Sequence, residues 1–257
     1  MQTTLCLDFG NTRLKCAVFE NHEIREVVVL ENDEPGSIRR LVEKYKPSKS
    51  ILSSVIKHHP GTEVFLAEHT LFHKLDYRSR LPFTTPVGKP ETIGADRLAI
   101  CAAAVNLFPD GHNLAIGLGT CITYNYISNR HEFLGGSISP GLNMRFRAMH
   151  EQTAQLPLIG AEQHFPLVGY DTKTNMLSGV ILGMAKEIDG IIDAYALKYS
   201  NFNVLLTGGD MGFFVPHLKN RIFADLNLIF KGLYAISEYN SGQEIVPGAS
   251  SNRNYPA

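Results

Sequence analysis

At 257 residues, 44% apolar and 19% charged, the chain holds enough apolar side chains to close one large core or two modest ones, which excludes a disordered protein. A formal net charge of -1, with Lys and Arg scattered rather than massed on one face, excludes general attraction to nucleic acid. No apolar run approaches the ~18 residues of a membrane span, so the expected partner is a small molecule or a second copy of the chain.

Residues 3–7, 13–19 and 24–30 carry β-type patterning, the last with the β-branched run Val27-Val28-Val29, and predict an antiparallel meander. A helix over residues 37–45 stops near Pro47 and a strand over 50–56 follows. His58-His59-Pro60-Gly61 then reads as a turn, which gives the order βββαβ. Leu98, Ala99, Ala102 and Val105 fall at helical spacing within residues 93–108, and Pro109-Asp110-Gly111 ends that helix. Strands over 114–118, 121–127 and 132–138 then repeat the opening order, followed by helices and a strand at 204–207. The repeat predicts an α/β fold of two duplicated lobes with little identity between them, divided as residues 1–112 and 113–257.

Within the second lobe, residues 172–199 place Met176, Val180, Met184, Ile188 and Ile192 at helical intervals. Gly179 and Gly183, four apart on that helix, either let another helix approach closely or are tolerated at ~1 kcal/mol each. Pro247, Gly248, Ser250 and Ser251 suggest a loose end of the chain. Cys6, Cys16, Cys101 and Cys121 form no C-x-x-C pair and sit in apolar stretches, where cysteine behaves as a small buried hydrophobe. With no charged leader before the first strand, a cytoplasmic, reducing location is expected.

Two turns carry the chemistry. Asp8-Phe9-Gly10-Asn11-Thr12 and Gly117-Leu118-Gly119-Thr120 each join two apolar strands. Gly10 and Gly119 let backbone N–H groups approach an anion, and Asn11, Thr12 and Thr120 add side-chain contacts for phosphate oxygens. No G-x-x-x-x-G-K-[ST], strand-linked G-x-G-x-x-G or H-E-x-x-H is present, which speaks against P-loop, Rossmann and zinc-hydrolase sites. Asp8 alone reads equally as a turn former, and Asp96 as an acid complementing a helix N-terminus.

Three further features are Gly94-Ala95-Asp96-Arg97, Gly135-Gly136-Ser137-Ile138-Ser139-Pro140-Gly141 and Thr207-Gly208-Gly209-Asp210. Together with Asp8-Phe9-Gly10-Asn11-Thr12 and with Gly119-Thr120 and Thr123, they stand in an order and spacing that resembles the type III pantothenate kinases, over nearly the whole chain to about residue 240. That family has the actin, sugar kinase and heat-shock ATPase superfold, ribonuclease H-like, whose duplicated βββαβα lobes agree with the repeat.

The resemblance implies ATP-dependent phosphorylation of pantothenate, the first step of coenzyme A biosynthesis, by a homodimer using Mg²⁺ and a monovalent cation, K⁺ or NH₄⁺. It implies that Asp8 faces Mg²⁺, and that Phe9, Gly10, Asn11, Thr12 and Arg13 with Gly119 and Thr120 bind the ATP phosphates. Gly208 and Gly209 would belong to the adenosine motif, and Asp96 would be the base. Gly94, Ala95, Arg97 and Thr172 would join Asp96 in binding pantothenate. Arg97, always charged and fork-shaped, suits a carboxylate such as that of pantothenate.

Gly117 departs from the family's second-turn aspartate, and Asn125 from an acid that often follows the threonine. Val87 and Lys89 replace a common tyrosine and asparagine. These departures keep two alternatives open. One is a weakly active or inactive homologue that binds nucleotide or pantothenate as a regulatory protein, and the other is a different small-molecule kinase of the superfold.

Overall fold

In the computed structural model, which describes residues 2–241, the chain opens with β1 (Thr3–Phe9), β2 (Leu14–Glu20) and β3 (Glu23–Val29) as an antiparallel meander. β1 is almost wholly buried, whereas β3 at the sheet edge alternates exposed and half-buried side chains. The helix α1 (Pro35–Tyr45) has proline in its first turn, where the missing N–H is harmless, and ends on Lys46 in the left-handed region at φ 45°. β4 (Lys49–Ser54) then runs parallel to β1.

The turn expected at His58-His59-Pro60-Gly61 is instead the start of a helix, α2 (Pro60–His69). Pro60 occupies its first turn, and the His59 side chain accepts the Gly61 N–H at 3.1 Å. Proline and glycine signal a turn and a helix start alike, and only the apolar Val64, Phe65 and Leu66 downstream separate the two. β5 (Leu71–Lys74) completes a sheet of order β3-β2-β1-β4-β5.

After α3 (Ala95–Leu107) the pattern restarts. β6 (His112–Leu118), β7 (Cys121–Ile127) and β8 (Phe133–Pro140) form a second meander. They are followed by α4 (Leu142–Glu151), α5 (Thr172–Lys198), β9 (Phe202–Thr207), α6 (Met211–Phe214), β10 (Phe223–Ala224) and α7 (Leu228–Asn240). The second sheet has the order β10-β9-β6-β7-β8. Numbered from its own meander, each sheet therefore has the same order and the same strand directions, so the predicted duplication is one of topology. The expectation for residues 247–251 lies outside the described residues.

Three cores follow. Leu5, Leu7, Phe9 and Leu52 of the first sheet pack under Ile38 and Leu66 of α1 and α2. Leu114, Ile116, Ile122 and Tyr124 of the second sheet pack under Met176, Ile181, Met184 and Ile188 of α5. The third core lies between the sheets, where Cys6, Ala17 and Ile51 from one side and Ala115, Ile127 and Leu205 from the other meet α3 and α7. This explains why residues 98–105 of α3 are all buried, whereas an amphipathic helix would bury one stripe.

α3 and α7 cross so closely at Gly232 that a Cβ there would lie 1.8 Å from the Ala99 carbonyl oxygen, which only glycine avoids. α7 goes on to the first sheet, where Tyr234 stacks on Phe19 and Glu238 pairs with the buried Lys49 at 2.9 Å. A Cβ added at Gly179 or Gly183 would meet no described atom within 4 Å outside the helix's own backbone, so the close approach weighed for α5 is not made by the described residues. Among the described residues no helix is long and apolar enough to cross a membrane.

Candidate active site

The two sequence-predicted turns meet through their threonines. In the first, Gly10 N–H donates to Arg13 O at 3.2 Å and returns the chain from β1 to β2; in the second, Gly119 N–H donates to Cys121 O at 3.1 Å between β6 and β7. The hydroxyls of Thr12 and Thr120, 108 residues apart in the chain, lie 3.1 Å from each other. Two glycines press on the second turn: a Cβ at Gly141 would fall 2.2 Å from Gly119 O, and one at Gly208, at φ +107°, would fall 2.1 Å from Leu118 O. Gly208 therefore needs glycine twice over, for its backbone angle and for its neighbour. Gly209 beside it has open space, and the Asp210 N–H donates to Leu118 O at 3.2 Å.

Asp8 stands next to the end of β1, opposite Lys15 of β2 and beside Ser53 of β4. Burial, and then the charge of Asp96, push its carboxyl up to about 7, with Lys15 and the Ser53 hydroxyl pulling the other way. That influence sets Asp8 of the first turn within electrostatic reach of Asp96 of α3. Asp96 is itself raised, chiefly by burial, against the pull of the Arg97 peptide N–H and charge. In the second half, burial also raises Asp210 while Arg13 of the first turn lowers it.

Asp96 stands in the first turn of α3, as the reading of a helix-start acid expects. Its Oδ1 accepts the Arg97 N–H at 2.9 Å, as a helix-start acid does, and its charge still reaches Asp8. Gly94, the residue before α3, leaves room for this fold-back, since a Cβ there would lie 2.5 Å from Asp96 Oδ1. Ala95 opens the helix. Arg97 reaches the other lobe: its Nε donates to Asn125 Oδ1 of β7 at 2.6 Å, and its guanidinium carbon lies 5.5 Å from the centre of the Phe133 ring.

Thr172 is placed elsewhere. It is the exposed first residue of α5, after Asp171, whose side chain accepts the Thr174 N–H at 2.7 Å as a cap. α5 packs on the face of the second sheet opposite to α3, so this chain does not gather Thr172 with Asp96 and Arg97.

Lys15, Ser53 and the Asn125 contact escaped the sequence reading. The signal for Lys15 was present: once Gly10 and Arg13 close a hairpin, pairing across it sets Lys15 against Asp8. Ser53 had no such signal, because β4 arrives from beyond α1. Among the described residues no cluster of three His, Cys, Asp or Glu forms a ready metal site. The Asp8 carboxylate, with the Ser53 hydroxyl beside it and Asp96 in electrostatic reach, offers hard oxygen donors, which fits a cation such as Mg²⁺ brought in with phosphates.

The family model for type III pantothenate kinase matches residues 4–194. A type III pantothenate kinase from Christiangramia forsetii is 40% identical over 241 residues, covering 93% of this chain and 99% of that protein. Among solved structures, a Baf family transcriptional activator from Campylobacter jejuni superposes with a TM-score of 0.61 at 23% identity, over 92% of this chain and 98% of its own. The activator of the 2-hydroxyisocaproyl-CoA dehydratase from Clostridium difficile, solved with bound ADPNP, gives 0.52 at 12% identity over 93% and 94%. At such identities these two structures speak for the fold.

Proposed function

Since the chain belongs to the type III pantothenate kinase family, it phosphorylates pantothenate in coenzyme A biosynthesis, and we propose that Asp8 and Asp96 divide the work of that transfer. The observation that carries the assignment is the junction of the two turns through Thr12 and Thr120, with Asp8 at the root of the first turn and Asp96 near enough to raise it. Phe9, Gly10, Asn11, Thr12 and Arg13 take one side of the ATP phosphates, Gly119 and Thr120 the other, and Gly208 and Gly209 border the adenosine. Asp8 would hold Mg²⁺, which supplies neutralisation of the phosphate charge.

Gly94 and Ala95 shape the pantothenate site and Arg97 holds the substrate carboxylate. Asp96, with one oxygen fixed by the Arg97 N–H, orients the pantothenate hydroxyl through the other. The hydroxyl oxygen bonds to the γ-phosphorus as the bridging oxygen departs with ADP, and the hydroxyl proton passes late to Asp96. Such a loose transition state asks for positioning more than for a strong base. A monovalent cation, K⁺ or NH₄⁺, belongs to the same reading without assigned ligands.

The position of Thr172 on the far face of the second sheet supports a homodimer in which the α5 N-terminus of one copy completes the pantothenate site of the other. A cytoplasmic location accords with the reaction. A coupled assay with ATP, Mg²⁺, pantothenate and K⁺ or NH₄⁺ tests the assignment: turnover is expected, with Asp96→Asn lowering kcat by about a hundredfold or more. An Asp96→Asn enzyme as fast as the parent removes the base assignment. A monomer mass by light scattering counts against the shared site.

A further inference from the structure

We propose that Asn125 is a positioning residue for Arg97, and that its uncharged amide keeps the full charge of Arg97 available to the pantothenate carboxylate. This rests on the reading of Arg97 given above. Asn125 is fully buried in the middle of β7. Its Nδ2 donates to the Ala115 carbonyl at 3.0 Å and to Thr123 Oγ1 at 3.2 Å. Turning the amide over would set its oxygen against the Ala115 oxygen and its NH₂ against a guanidinium, so Oδ1 is fixed as the acceptor facing Arg97.

That acceptor takes only the Nε–H of Arg97. Among the described residues the two terminal nitrogens of Arg97 make no hydrogen bond, and the side chain makes no ion pair, so their four N–H groups remain for a ligand. The Phe133 ring lies 5.5 Å from the guanidinium carbon and backs its plane without neutralising it. Asp96 spends its Oδ1 on the Arg97 backbone N–H. The outcome is a planar cation gripped at one edge by a neutral group, with the edge that matches a carboxylate left open.

Gly117 belongs to the same arrangement. It pairs with Thr123 across β6 and β7, and a Cβ at 117 would lie 2.9 Å from Thr123 Oγ1, the oxygen that receives the Asn125 N–H. The bare Gly117 thus leaves Thr123 the rotamer that orients Asn125, which in turn orients Arg97. An acid at 125 would instead form a buried pair with Arg97 and, as an acceptor-only carboxylate, present no donor to Ala115 O or Thr123 Oγ1.

The test compares pantothenate with pantothenol, its neutral alcohol analogue, as acceptors for the full-length enzyme. Asn125→Asp is expected to raise the pantothenate KM about tenfold, and to narrow the pantothenate-over-pantothenol preference in kcat/KM by a similar factor, with the loss in KM rather than kcat. Gly117→Ala, which displaces Thr123 without adding charge, shifts the same preference in the same direction by a smaller factor. Thermal melts show each variant folded under assay conditions.

Arg97→Ala separates the two layers of the argument. If Arg97→Ala abolishes the preference while folded Asn125→Asp and Gly117→Ala keep the parent ratio, the positioning role of Asn125 is overturned and the carboxylate reading of Arg97 stands. If Arg97→Ala itself leaves the ratio unchanged, the carboxylate reading falls, and the present proposal with it.

Discussion

At the scale of single residues, the acid of the first turn is held in a state that a test tube can read. Asp8 titrates at about 7 in the folded, ligand-free protein against 3.8 for an ordinary aspartate, first because it is buried and then because Asp96 is near. Between those values the native state keeps a proton that the unfolded chain has released, so this group's contribution to stability falls as pH rises from about 4 to about 7 and levels off above. Melting curves of parent and Asp8→Asn should diverge over that range, the parent losing ground to the variant as pH rises. Parallel curves would contradict it. Gly94→Ala probes the other acid: its Cβ would meet Asp96 Oδ1 at 2.5 Å and push the carboxylate aside, while the Gly94 backbone, at φ -59° and ψ 140°, suits alanine. On the proposed role of Asp96, kcat drops by about ten- to a hundredfold with little change in melting temperature, by steady-state kinetics alongside calorimetry. A kcat equal to the parent's would remove the geometric argument.

At the scale of elements, the contact between α3 and α7 is the tightest helix crossing described here. Gly232→Ala would drive a methyl group into the Ala99 carbonyl, and the helices can part only by opening the core between the sheets. A loss of at least about 2 kcal/mol is expected from the urea midpoint, although alanine is the better helix former. Helix propensity read from sequence would give the opposite sign. The same contrast marks what the sequence could carry. The strands of both meanders were legible because each shows its own alternation and turn residues, and α3 because its apolar spacing is local. The start of α2 was not, since Pro60 and Gly61 mean one thing in a turn and another in a first helical turn. Nor were the influence of Asp96 on Asp8 and the contact of Arg97 with Asn125, which depend on how two sheets face each other. Sequence order placed these residues in motifs, and packing decided which ones touch.

At the scale of the whole molecule, α3 and α7 give the two sheets one common core, and α7 ties the end of the second half to β1 and β4 of the first. The halves are therefore expected to unfold together. With 10 tyrosines and no tryptophan, tyrosine fluorescence and far-UV circular dichroism are the natural pair of probes, and their urea transitions should coincide. Two separated transitions would mean that the halves hold independently. The duplication itself was legible from the repeated order of strands, because a topology read in segments survives even where identity between halves is lost. The sheets also end where a foreign strand finds little to grip. β10 offers two residues and β5 four, while β3 sets Glu23 and Arg25 toward solvent. β8 carries Gly135 and Gly136 at φ +102° and +153° and finishes in Pro140. Three of these borders are too short or too bent to template a long ladder; β3, whose outward row goes on to Val27 and Val29, is the one guarded by charge alone, and edge-to-edge pairing in a crowded solution of this enzyme would begin there.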